Sequence, residues 1–127
     1  MSKKKNNKSQ KIRILPETIK EGEIRQLIRR RRYQILIHSI IYYRFGDSIV
    51  EDHVWDSWAE ELKKLQKEYP KISKSLKYYD DFKNWEGSSG FDLKSLSDPY
   101  LIGKAIYIVD LHKRLYRKKR IIRLHFK

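Results

Sequence analysis

At 127 residues, with 30 Lys/Arg against 16 Asp/Glu, the chain has a formal net charge of +14, and its apolar content supports one modest core rather than two. It contains no cysteine, which excludes disulfides, cysteine-based zinc sites and thiol nucleophiles. No apolar run approaches the ~18 residues of a membrane span, and the opening MSKKKNNKSQ lacks the apolar stretch of a secretory signal, so a soluble, cytoplasmic protein with no membrane partner is expected.

The charge is unevenly placed. Residues 1–33 hold 12 Lys/Arg and 3 acids, residues 34–110 hold 10 and 13, and residues 111–127 hold 8 and none. A slightly acidic centre therefore lies between two strongly basic ends. Such ends favour polyanions, DNA or RNA, through counterion release and long-range steering. The plainer reading is that Lys-rich ends keep a small protein soluble.

Residues 1–16 read as a disordered basic arm ending at Pro16. A single helical domain is expected over 17–127. Its first helix starts near Glu17, with Ile24, Leu27, Ile28, Ile35 and Ile41 near one face and Arg29–Arg32 at its middle. Gly46 can adopt the left-handed conformation that stops it. A second helix starts near Glu51. Val54, Trp58, Leu62 and Leu65 form its core stripe, its acids come early and its lysines late as the helix dipole prefers, and Pro70 ends it. Two helices joined by so short a turn pack as an antiparallel hairpin.

Residues 71–96 carry no clear pattern beyond a turn at Gly87–Gly90. Ser97-Asp98-Pro99 is a helix start, with Ser as N-cap and Pro in the first turn. Leu101, Ile102, Ala105, Ile106, Val109 and Leu111 mark a third helix that runs into the basic KRLYRKKRIIR. The last residues suit either more helix or a short strand. The expected fold is mainly α: a small helical domain built on an antiparallel hairpin, with a third, C-terminal helix and a disordered basic N-terminus.

One stretch carries the chemistry. Asp52 and Asp56 stand at i and i+4, so both carboxylates project from one helix face, with Trp55 beside them. Tyr42 and Tyr43 end the preceding helix, a short turn away. Aromatic faces attract cations by about 0.5–2 kcal/mol, and carboxylates can hold ribose hydroxyls or a carboxamide. A flat, cationic nicotinamide nucleotide would suit such a seat. Spacing alone favours the plainer reading of core aromatics and solvated first-turn acids.

The same residues resemble a known family. His38 is followed four residues later by Tyr42-Tyr43, then by Asp52-His53-Val54-Trp55-Asp56, Glu61-Leu62-Lys63-Lys64-Leu65 and Tyr69-Pro70. This run, 38–70, is similar to the hairpin of the N-terminal Ia domain of NAD-dependent DNA ligases, which shows H-x-x-x-Y-Y/H, D-x-x-Y-D and E-L-x-x-L. The resemblance implies that Tyr42, Tyr43, Asp52, Trp55 and Asp56 contact NAD or its nicotinamide mononucleotide half. The chain departs from the family in Trp55, where a Tyr is usual, and in the turn 46–50, which lacks the family's proline. No K-x-D-G nucleophile motif is present, and there is no room for an adenylation domain. A non-catalytic module is therefore expected, not an enzyme, and no metal, since His38, His53, His112 and His125 lack ligand spacing.

The rival reading gives the work to the basic residues. Arg29, Arg30, Arg31, Arg32, Arg117, Lys118, Lys119, Arg120 and Arg123 would then track nucleic-acid phosphates without reading bases. Alternatively, the chain would target a host protein as a phage-type enzyme inhibitor. In either case the nucleotide pocket would be vestigial. A third reading is a subunit that completes a separately encoded adenylation domain.

Overall fold

The computed structural model describes the backbone of residues 6–125 and the side chains of residues 19–117. Among the described residues every regular element is helical: α1 (Asn6–Phe45), α2 (Asp52–Glu68), α3 (Pro70–Ser75), α4 (Tyr79–Phe82), a 3₁₀ turn (Lys94–Ser97) and α5 (Pro99–His125). The expected mainly α domain with a hairpin and a C-terminal helix is what is found. The span of α1 takes in residues 6–16, which the sequence suggested as an arm, while residues 1–5 lie outside the described residues. The open choice for the chain's end resolves to helix as far as His125.

α1 is the central helix. Ile35, Leu36, Ile37, Ser39, Ile40 and Ile41 are all buried, far more than one stripe. A helix buried nearly all round needs partners on more than one side. α2 covers one flank through Ala59 and Leu62, and α5 covers another through Leu101 and Ala105. Phe82, Leu93 and Leu96 close the remaining gap. Each fully buried Ile or Leu contributes about 1.5–3 kcal/mol. Gly46 ends α1 at φ 65°, and the Asp47 amide folds back on the Ile41 carbonyl at 3.1 Å. The reversal makes α2 antiparallel to α1, so Arg31 meets Glu61 while His38 meets Trp58. α5 begins beside the end of α1, where Arg44 donates to Ser97 at 3.0 Å.

The arginine run does not form one cationic surface. Successive residues of an α-helix turn by about 100°, so four in a row point most of the way round it. Arg29 and Arg30 face solvent, whereas Arg31 is half-buried and bonded to Glu61 and Gln34. Arg32 is fully buried, which corrects its expected role as a phosphate contact. Its Nε donates to Gln66 at 3.0 Å. Nη1 donates to the carbonyls of Leu76 and Lys77 at 3.2 and 2.9 Å. Nη2 donates to the carbonyl and hydroxyl of Ser73 at 3.0 and 2.7 Å. Burial lowers its pKa to about 10, while Asp81 and then Tyr79 pull the other way.

Arg32→Met should therefore lower unfolding stability by about 3 kcal/mol, because it strands buried carbonyls without donors. Urea titration measures this. A loss below about 1 kcal/mol would show that the five bonds are replaceable by solvent.

Candidate functional site

A cleft of about 260 Å³ opens where the end of α1 faces the start of α2. α1 contributes His38, Ser39, Tyr42 and Tyr43, four positions within two turns that share one side because i, i+3 and i+4 are neighbours on a helix. The connection contributes Ser48, Ile49 and Val50. The first turns of α2 contribute Asp52, Trp55 and Asp56. A turn from far along the chain, Ser88–Gly90, closes the side. All five residues singled out in the sequence for the nicotinamide nucleotide thus line one cleft.

The cleft is built by the hairpin and finished by the distant turn. Tyr43 and Ser89 share a hydroxyl–hydroxyl bond of 3.0 Å. The Ser89 hydroxyl also accepts from the Phe91 amide at 3.0 Å, and its carbonyl accepts from the Trp85 indole at 2.7 Å. Gly90 is buried directly over Ser39, and a Cβ there would collide with the Ser39 side chain. Nothing in the local pattern of 71–96 reveals this closure, which is a tertiary contact between a plain Ser-Ser-Gly turn and a helix 50 residues earlier.

The two sequence readings of the aromatics both contribute. Tyr42 is 58 % exposed and stands edge-on to Tyr43 at 4.9 Å, so it is rim, not core. Trp55 is half-buried with its ring 6.1 Å from that of Trp85, and it both packs and lines the cleft. Asp52 and Asp56 are exposed and form no ion pair among the described residues.

Two polar atoms in the lining lack partners. His38 Nδ1 and Ser39 Oγ are buried and hydrogen-bond to nothing among the described residues. Most buried polar atoms in proteins are paired, but these two are shielded by the protein, Ser39 Oγ beneath Gly90, so the open cleft does not present them to a ligand. Burial lowers the pKa of His38, whose ring lies 5.3 Å from that of Trp58, so the imidazole is neutral at pH 7. His38 was legible only as a spacing marker, and Ser39 was missed, although both lie within one turn of Tyr42. Among the described residues no cluster of His, Asp or Glu could hold a metal ion.

Among the described residues no Lys or Arg lines this cleft. Arg29 and Arg30 are exposed on α1 and Arg117 on α5. Lys118, Lys119, Arg120 and Arg123 fall within α5, but their side chains lie outside the described residues. No described helix is long and apolar enough to cross a membrane. No family model, curated protein or solved structure matches the chain.

The lowered pKa of His38 has a defined consequence for stability. Its contribution is fully present above the unfolded value near 6.5 and is lost as pH falls from there toward the lower folded value, because the unfolded chain takes up the proton first. Urea titrations across this window should show wild-type stability falling with pH more steeply than that of His38→Gln. Parallel curves would mean that the imidazole protonates as readily in the fold as in the open chain.

Proposed function

We propose that this protein is a non-catalytic module whose cleft binds the nicotinamide mononucleotide part of NAD. The observation that carries this reading is the convergence of Tyr42, Tyr43, Asp52, Trp55 and Asp56 on one cleft. Aromatic faces and carboxylates suit a flat cation with sugar hydroxyls. At about 260 Å³ the cleft is just below the roughly 300 Å³ at which pockets for drug-sized ligands begin. That size suits one ring and its sugar, so the adenylate half of NAD would lie outside. Calorimetric titration with nicotinamide mononucleotide should show saturable binding that weakens about tenfold in Asp52→Ala, a change of roughly 1.4 kcal/mol, with an unaltered melting temperature. Absence of heat at millimolar ligand would contradict the proposal.

A second reading rests on a separate observation, and the two are compatible. α5 carries no acid beyond Asp110, and its side chains from Asp110 to Arg117 are all exposed or nearly so. An exposed helical stretch that runs into an acid-free, Lys/Arg-rich end is suited to nucleic-acid phosphates. DNA or RNA binding should weaken steeply with salt, and neutralising Arg117, Arg120 and Arg123 should reduce the slope of log K against log salt by about 2–3. A salt-independent affinity would exclude phosphate tracking.

A further inference from the structure

The cleft has a charge opposite to that of the protein around it. The chain has 30 Lys and Arg, yet among the described residues none lines the cleft, whose acidic side chains are Asp52 and Asp56. This matters because nicotinamide mononucleotide joins two unlike groups. Its ring, bonded through nitrogen to ribose, is a pyridinium cation. Its phosphate carries close to two negative charges at pH 7, as phosphate monoesters do.

Among the described residues the cleft offers a phosphate no cationic side chain. A helix N-terminus can bind an anion through its free amides, and α2 begins at the cleft. There the amides of Val54 and Trp55 are bonded to the Glu51 carbonyl at 3.0 and 3.2 Å, Glu51 gives the helix no side-chain cap, and the first turn bears Asp52, whose charge repels an anion. The Ser48 amide is bonded to Asp47 and the Ser48 hydroxyl to the Val50 carbonyl. The Ser89 hydroxyl is shared between Tyr43 and the Phe91 amide. What the lining offers a ligand is three aromatic side chains, Tyr42, Tyr43 and Trp55, two carboxylates, and the hydroxyls of Tyr42 and Ser88.

From this distribution we infer that the cleft recognises the pyridinium nucleoside in its oxidised, cationic form and makes no use of the phosphate. The inference rests on the nicotinamide reading of the cleft and narrows it to a ligand class: N-ribosylated pyridinium cations, with a phosphate tolerated only where it projects into solvent. The reduced ring, a neutral dihydropyridine, forfeits both the cation–aromatic attraction and the carboxylate pairing. The cleft would then report the redox state of the nicotinamide.

The test titrates the full-length protein with three compounds: nicotinamide riboside, its reduced form, and nicotinamide mononucleotide. Physiological salt, with a screening length of about 8 Å, damps long-range attraction of the phosphate by the chain's net positive charge. The oxidised riboside should bind as tightly as the mononucleotide, within about threefold, and the reduced riboside about tenfold more weakly or worse. In the Asp52→Asn, Asp56→Asn double variant the difference between oxidised and reduced riboside should shrink to within about threefold. A mononucleotide bound more than about tenfold tighter than the riboside would overturn the inference and leave the nicotinamide reading standing, since the phosphate is then read. Equal binding of the oxidised and reduced ribosides would also overturn it. Failure of all three to bind would remove the nicotinamide reading itself.

Discussion

A buried guanidinium links the central helix to everything between α2 and the cleft. Arg32 satisfies its five N–H groups on a glutamine, a serine hydroxyl and three backbone carbonyls, and none of these acceptors is a carboxylate. Removing a cation from water costs several kcal/mol. Hydrogen bonds to a charged group, each contributing about 1.5–3 kcal/mol, offset that cost only when the geometry is complete. The grip on Leu76 and Lys77 precedes Tyr78, a non-glycine residue at φ 70°. Such a conformation persists only where its surroundings hold it.

From there contacts lead to the cleft. Tyr78 starts α4, whose Phe82 lies 5.9 Å beneath the Arg32 guanidinium. Phe82 meets Trp85 edge-on at 5.1 Å. Trp85 holds the Ser89 carbonyl, and Ser89 holds Tyr43. Gln66, an Arg32 partner, also donates to the Phe82 carbonyl at 3.3 Å. The turn that finishes the site is thus positioned by a residue that never touches it, and the hairpin walls rest on rigid helices. That arrangement gives a small site precise geometry without a large domain behind it.

The sequence made the hairpin legible because its signals are local. Gly46, the Val54–Leu65 spacing and Pro70 each act within a turn or two, and Asp52 and Asp56 share a face by helix geometry alone. The five candidate ligand contacts were legible for the same reason. The Ser88–Gly90 wall was not, because its place depends on the missing Cβ of Gly90 against Ser39. Arg32 misled as one member of a basic run. Helical rotation alone ruled out four arginines on one surface, but which one turns inward depends on the acceptors offered by 66–77. The pattern in α1 under-reported burial because a stripe presumes one partner, whereas this helix has partners on several sides.

The central claim is that a basic chain encloses a small acidic, aromatic-walled cleft that holds a nicotinamide nucleoside. Two-dimensional amide and indole NMR during addition of nicotinamide mononucleotide tests it most directly, since each lining residue reports separately. The account predicts saturable shifts at Ser39, Tyr42, Tyr43, Asp52, Ser89 and the Trp55 indole, with the end of α5 unchanged. Shifts confined to the basic residues of α5, or none anywhere, would contradict it.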